Sequence, residues 1–245
     1  MHTPHPLAAL RRNRHVSQME LGLRAGVSQR HVSWIETGRA QPSRATLLAL
    51  LDALDAPLPE RNATLLAAGL APQYSALALD DPALAPARDA LHQLLHAPGA
   101  APALVIDAEW NLLMANAGVE RLLQLLGMAL PAQANLLDML LAPQGLRQFV
   151  INEAEVAAEV QHRARRESAH VPALAARLAG LPKPAAVQAT EPAPLLLTRL
   201  RSSVGELRLF SVFSTFGTPL DVTLASLRIE HLFPADAATA AALRA

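Results

Sequence analysis

The chain of 245 residues has no cysteine, very few aromatic residues and no net charge. Without cysteine there is no disulfide framework, no thiolate nucleophile and no thiolate-ligated zinc or iron–sulfur centre, and a reducing, cytoplasmic setting is the expectation. No apolar run reaches the roughly 18 residues of a membrane span, and the opening Met-His-Thr-Pro-His-Pro carries no apolar signal core. Neither secretion nor a membrane span is therefore expected. The 11 glycines stand singly, which leaves no phosphate-cradling loop and no dinucleotide fingerprint, and a Gly-x-Ser-x-Gly nucleophile elbow is missing too. His92-Gln93-Leu94-Leu95-His96 has the histidine spacing of a zinc-protease helix. Glutamine occupies the place of the general base, however, and no third ligand stands out, so a solvated helix is the simpler reading. No catalytic residue, no metal site and no cofactor are expected, and the chain does not read as an enzyme.

What is present begins with charge. Residues 1–45 carry seven arginines against two glutamates, a local net charge of +5 inside a neutral chain. A local basic footprint is what a nucleic-acid-binding module needs. The length allows one further domain with its own core, and a boundary at residues 1–75 and 76–245 is expected.

Within the basic segment, Ser17-Gln18 and Ser28-Gln29 each open a short helix, and Gly26 supplies the turn between them. Helical periodicity turns Leu21, Ala25, Val27, Val32 and Ile35 inward and leaves Gln29, Arg30, Ser33 and Trp34 outward. Glutamine pairs bidentately with adenine and arginine with guanine, a short serine lets the helix approach closely, and a helix N-terminus favours phosphate. Gln18, Ser28 and Arg39 complete the expected DNA-facing set, Arg39 as a phosphate contact. Trp34 fits equally a phosphate-side contact or a partly buried wedge, and His31 suits the helix surface better than base reading. A first helix from Leu7, a fourth from Ser43 to Leu54 and a fifth from Pro59 to Ala68 make a five-helix bundle.

Residues 7–70 resemble the Xre/Cro-type helix-turn-helix regulators. The resemblance is carried by Leu10, Arg11, Arg14, Ser17, Gln18, Leu21, Gly26, Val27, Ser28, Ser33, Glu36, Gly38, Pro42 and Ser43. It implies a lambda-repressor-like bundle, double-stranded DNA as partner, a homodimer, and a structural bridge between Arg11 and Glu36. Two positions depart: His15 stands where glycine is usual, and Gly22 where alanine is usual, a change that softens a helix by roughly 1 kcal/mol.

Beyond a connector punctuated by proline and aspartate, a helix is expected near Ala85 to His96. A hairpin follows, with strands Leu104–Asp107 and Leu112–Asn116, and Asn116 caps the next helix, Val119–Leu126. Helices at Asn135–Leu141, Gly145–Phe149 and Glu153–Ser168 come next, then a connector marked by Pro182, Pro184, Pro192 and Pro194. Strands are expected at Leu195–Arg201, Glu206–Phe216 and Ser226–Phe233. The fold class is α+β, an all-α bundle followed by an antiparallel sheet with helices on one face, an order that resembles the PAS fold.

More closely, the chain from residue 7 to 237 resembles Xre regulators that carry an MmyB-like ligand-binding domain. The carrying residues are Arg61-Asn62, Ala67-Ala68-Gly69, Asp80-Asp81-Pro82-Ala83-Leu84, Gly145-Leu146-Arg147, Val150-Ile151-Asn152, Phe216-Gly217-Thr218-Pro219, Asp221-Val222-Thr223 and Phe233-Pro234-Ala235-Asp236. Ala142 and Gln144, on either side of Pro143, and Glu153-Ala154 depart from the usual pattern. The resemblance implies a transcriptional regulator that senses an apolar, fatty-acid-like small molecule. The alternation of the last strand sets Leu227, Ile229, His231 and Phe233 on one apolar face, with Arg228 and Glu230 opposite, and Phe213 and Thr215 share a face with Leu207 and Leu209. The expected ligand contacts are Arg147, Asn152, Phe213, Thr215 and His231, with Arg147 or His231 meeting the head group. A satisfied core histidine and an ordinary capping or ion-pair arginine are the competing roles. A second domain that only dimerises or docks a partner protein stays open: an apolar cavity of roughly 300 Å³ or more would favour the sensor, and a filled core with a large exposed apolar patch the interaction module.

Overall fold

The computed structural model describes residues 5–97, 99, 101–168, 171–183 and 194–244. Pro184 and Pro192 of the expected connector lie outside them. Two compact units result, one running to Ala78 and joined by Thr218–Ala225, the other made of Leu79–Gly217 and Ser226–Ala245.

Five helices build the first unit: α1 (Pro6–Asn13), α2 (Gln18–Ala25), α3 (Gln29–Glu36), α4 (Arg44–Asp52) and α5 (Leu58–Ala67). Ser17, Ser28 and Ser43 cap α2, α3 and α4, each hydroxyl accepting from a backbone N–H three residues on at 3.0, 3.2 and 3.1 Å. These bonds satisfy donors that the first helical turn leaves orphaned. Leu7, Leu21, Val32, Ile35, Leu47, Leu50, Leu51 and Leu65 are fully buried between the helices.

Both departures from the repressor pattern have a local cause. Gly22 sits where a Cβ would meet the carbonyl oxygen of Val27 at 2.3 Å, so the backbone after α2 approaches closer than alanine allows. His15 has φ 56°, the left-handed region in which glycine is at ease and a side chain is not.

The segment after α5 folds back on it. Asn62 Oδ1 accepts from the N–H groups of Gln73 and Tyr74 at 3.0 and 3.1 Å, and its amide donates to Tyr74 O at 2.7 Å. Asp221 then accepts from the N–H groups of Leu77, Thr223 and Leu224, and Thr223 Oγ1 donates to Leu77 O at 2.7 Å. Burial opposes the Asp221 charge, but these N–H donors and Ser75 hold its pKa below the ordinary value. Residues 218–225 are thereby part of the first unit, although the sequence reading places them in the second.

The second unit opens with a 3-10 turn, Pro82–Leu84, and α6 (Ala85–Leu95). The strands β1 (Ala103–Ile106) and β2 (Leu112–Ala115) lead into α7 (Ala117–Leu125), α8 (Leu136–Leu141), a 3-10 turn at Leu146–Phe149, α9 (Glu153–Ser168) and α10 (Pro172–Ala179). β3 (Thr198–Ser202) and β4 (Gly205–Ser214) form a hairpin, and β5 (Arg228–Pro234) and α12 (Ala237–Arg244) follow it; α11 (Val222–Ser226), between β4 and β5, lies in the first unit but for its last residue. All pairings are antiparallel, in the order β2-β1-β5-β4-β3. The molecule is thus α+β, a helical bundle followed by a five-stranded antiparallel sheet with helices.

Asn116 joins the sheet to α7. Its Oδ1 accepts from Ala103 N and Val119 N, and its Nδ2 donates to Leu95 O and Ala101 O, all within 3.2 Å and buried. Leu104 and Ile106 of β1 pack with α7, α8, α9 and α10 in one apolar cluster, while Leu200, Leu207 and Leu209 of β3 and β4 pack with α7, α9 and α12 in another.

The left-handed backbone at His15 predicts that His15→Gly raises stability by about 0.5–1 kcal/mol, relief of the steric cost outweighing the added entropy of the unfolded chain. Urea denaturation checks it; a stability loss shows that the imidazole makes contacts worth more than the strain.

Candidate functional site

Each unit carries one surface suited to recognition. In the first, α3 presents Gln29, Arg30 and Trp34 to solvent, with Arg39 exposed just beyond it and Ser33 half-buried. The guanidinium carbon of Arg30 lies 4.4 Å from the centre of the Trp34 ring, one helical turn away. Such stacking holds the planar donor fork in one orientation before it meets a partner. Trp34 is partly buried, 37% exposed, with its ring under Arg30 at the surface. Ser28 spends its hydroxyl on the α3 cap.

Gln18 is turned to structure rather than to the exposed face. Its amide donates to Glu36 Oε2 at 2.7 Å, and Glu36 also receives Arg11 Nε on Oε1 at 2.7 Å and the terminal nitrogen Nη2 on Oε2 at 2.8 Å. Arg11 Nη1 donates to Val16 O at 2.8 Å. Burial works to raise the Glu36 pKa, but the bonds from Arg11 and Gln18 and the charges of Arg11 and Arg12 hold it below the ordinary value. The same pairing raises the Arg11 pKa. This bidentate bridge ties α1 and α2 to the end of α3 and fixes the presenting helix.

The second unit encloses a cavity of about 270 Å³ where its two apolar clusters meet. Leucine, valine and methionine side chains from β1, β3, α7, α8 and α9 make most of its wall, and Leu195, Leu196 and Phe213, all partly exposed, line it as well. The size falls just below the roughly 300–1,000 Å³ of small-molecule pockets. The wall also carries charge: Glu159 and Arg163 from α9, and Glu230 from β5.

Arg163 is the centre of that polar end. Its guanidinium carbon lies 4.2 Å from the centre of the Trp110 ring and 4.4 Å from that of Phe213. Its closest carboxylate oxygen is Glu230 Oε2 at 3.8 Å, beyond hydrogen-bond reach, while Glu230 Oε1 accepts from Ser211 Oγ at 2.5 Å. Burial pushes the Arg163 pKa down against the pull of Glu230 and Glu167. Arg163 Nε and Glu230 Oε2 are both buried and without a hydrogen-bond partner among the described residues. Behind them Trp110, fully buried, donates its indole N–H to Glu167 at 2.6 Å, and Glu167 also pairs with Arg228.

Of the sequence-predicted ligand contacts, Phe213 lines the cavity and the others do not. Arg147 is bound by Glu153. Asn152 is a joint, donating to Leu197 O and accepting from Arg199 N, which ties the start of α9 to β3. Thr215 lies past the end of β4. His231 is on the other face of β5, stacked on Phe233, which stacks on Phe210. The expected inward face of β5 is inverted: Glu230 and Leu232 meet the cavity. Hydropathy alone hides this, because Glu230, only 6% exposed, has cationic and hydroxyl neighbours that make its burial tolerable. Arg163 was legible in another way, since Val156, Glu159, Val160, Arg163 and Glu167 recur at one-turn spacing along α9. A charge-rich helix invites the solvated reading instead.

His92 and His96 stack at 5.8 Å on α6, and no group of three or more metal-ligating side chains forms among the described residues. None of the described helices is long and apolar enough to cross a membrane.

Residues 87–245 match the MmyB-like transcription regulator ligand binding domain, and residues 5–64 match a helix-turn-helix domain. No protein of curated function matches the chain. Among solved structures, an RNA-binding light-oxygen-voltage receptor is 16% identical with a TM-score of 0.29, over 97% of this chain and 60% of the receptor. A likeness that weak carries no argument.

Arg11→Met is expected to lower stability by about 3–5 kcal/mol at neutral pH, by leaving the Glu36 charge buried without its cation. Glu36 ionises more readily folded than unfolded, so the bridge stabilises above the ordinary carboxylate range and is lost as pH falls through and below it. The deficit of the variant should therefore shrink toward about pH 4. Denaturant titrations at both pH values decide it, and a deficit that is equal at both would remove the ion pair as its cause.

Proposed function

We propose, on the premise that this chain belongs to the family of the MmyB-like transcription regulator ligand binding domain, that it is a DNA-binding transcriptional regulator whose second unit senses an apolar, chain-like small molecule. The helix-turn-helix match and the ligand-binding match support a ligand-responsive regulator as the coarse reading. The observation that carries the finer one is the cavity between the two apolar clusters, walled by aliphatic side chains with its polar groups gathered at Arg163 and Glu230. A domain that served only to dimerise or dock a partner has no need of an internal void, and voids cost stability.

The ligand we propose is of fatty-acid type in its chain. Flexible aliphatic walls suit a methylene chain, each buried methylene contributing about 0.8 kcal/mol. Phe213 serves as an aromatic contact and Arg163 and Glu230 as the polar contacts, in place of Arg147, Asn152, Thr215 and His231. The chain also offers a covalent route for the signal: β4 and β5, two strands of the cavity wall, are joined by residues 215–227, of which 218–225 belong to the DNA-reading unit. Protein denatured by heat is expected to release a chain molecule detectable by mass spectrometry. Failure to extract one, together with no rise in melting temperature on adding medium-chain lipids, would falsify the sensor.

For DNA we propose a homodimer in the cytoplasm reading a two-fold site, because one short helix reaches too few base pairs for specificity. Gln29 and Arg30 read bases, Ser33 permits the approach, Trp34 orients Arg30, and Arg39 contacts phosphate. Gln18 and Ser28 contribute by holding α2 and α3. Arg30→Ala and Gln29→Ala should each weaken binding to a selected operator by about 1–3 kcal/mol and relax its sequence preference. Arg39→Ala should chiefly lower the salt dependence. Titrations on the operator and a scrambled duplex test the assignment, and equal losses on both for Arg30→Ala exclude base reading.

A further inference from the structure

The polar end of the cavity restricts the head group of whatever chain it holds. Five charged side chains gather there: Glu159, Arg163 and Glu167 from α9, and Arg228 and Glu230 from β5. Two are cations and three are anions. Arg228 is taken up by Glu167, and Arg163 faces Glu230 at 3.8 Å. An arriving carboxylate would meet the attraction of Arg163 and the repulsion of Glu230 at similar distances, and would still lose its hydration. The two Coulomb contributions oppose each other, and desolvation then decides against the charged ligand.

Two buried groups there lack a hydrogen-bond partner among the described residues: Arg163 Nε, a donor, and Glu230 Oε2, an acceptor. The ring centres of Trp110 and Phe213 lie 4.2 and 4.4 Å from the guanidinium carbon, and a guanidinium offers its hydrogen bonds only at its edge, where the N–H bonds point. Ser211 already occupies the other Glu230 oxygen. Buried groups of this kind reward a partner more than they reward added charge.

We infer that the cavity selects a chain molecule whose head is uncharged and carries both a hydrogen-bond acceptor and a hydrogen-bond donor, the acceptor set against Arg163 and the donor against Glu230. A primary carboxamide and an un-ionised carboxylic acid both meet this description. An alkylammonium fails on Arg163, and an ionised fatty acid fails on Glu230. The inference rests on the apolar-chain reading of the cavity and adds the chemistry of the head.

The test uses the full chain, stripped of any co-purified molecule, and the probes octanamide and octanoic acid, by calorimetric titration. At about pH 8, where octanoic acid is ionised, octanamide is expected to bind at least about tenfold tighter. Octanoic acid should gain affinity as pH falls toward about 6, roughly tenfold per unit, following its un-ionised fraction, while octanamide stays level. Glu230→Gln removes the opposing charge with little change of shape, and at about pH 8 it should bring octanoate to or above octanamide in affinity. The wild-type pH series stands by itself if that variant does not fold. Equal or tighter binding of octanoate by the wild-type protein at about pH 8, or an affinity for the acid that does not change with pH, overturns the head-group assignment and leaves the apolar cavity standing. If neither probe binds, the apolar-chain reading falls and this inference with it.

Discussion

Trp110 is buried at the turn between β1 and β2 with φ 67°, a backbone conformation that a bulky side chain adopts only when its surroundings impose it. Those surroundings are visible. Asp107 accepts from the N–H groups of Glu109 and Asn111 and closes the turn, Trp110 O accepts from Leu136 N, and the indole N–H is held by Glu167. A ring fixed in this way gives Arg163 a flat face to lie on, and Arg163 in turn makes the burial of Glu230 on the cavity side of β5 tolerable. The polar end of the cavity thus depends on one aromatic residue in a strained turn, in a chain that spends very few aromatics anywhere.

The two units bury an arginine in opposite ways. Arg11 is bound on three of its nitrogens, twice by Glu36 and once by a backbone carbonyl, and the carboxylate that receives it has a further donor in Gln18. That arrangement fixes helices and leaves little for a ligand to do. Arg163 lies against two rings, yet among the described residues its Nε has no hydrogen-bond partner, and neither has the Glu230 oxygen that faces it. Under-satisfied buried groups cost stability, and folded proteins concentrate them where binding is to occur.

Much of the architecture was legible because it is written in local chemistry. Serine caps at 17, 28 and 43, glycine at 26 and asparagine at 116 and 135 each fix a boundary through bonds to nearby backbone, and the structure has elements at those boundaries. α10, α11 and α12 escaped notice, although Asp236 caps α12 by accepting from Thr239 N at 2.7 Å. The cavity was less legible than the fold for a physical reason. Alternating hydropathy assigns a strand's faces on the assumption that charge seeks water, and β5 breaks the assumption with Glu230. The expectation for Arg147 and Asn152 failed differently: each is a strong polar group near the cavity in sequence, but short-range partners, Glu153 for one and the β3 backbone for the other, claim it first.

The repressor pattern was also most informative where this chain leaves it. His15 occupies a left-handed position, so the usual glycine there answers a backbone demand that this sequence meets at a cost. Gly22 removes a methyl group from the line between α2 and the carbonyl of Val27, which lets the α2 to α3 turn close up. That turn sets where α3 begins, and Ser28 caps α3 at the same point. Since Arg30 is held against Trp34 on the α3 surface, its guanidinium inherits its position from backbone geometry several residues earlier. The orientation of a reading arginine is thus decided by a missing Cβ and a serine hydroxyl, neither of which has any chemistry in common with a base edge.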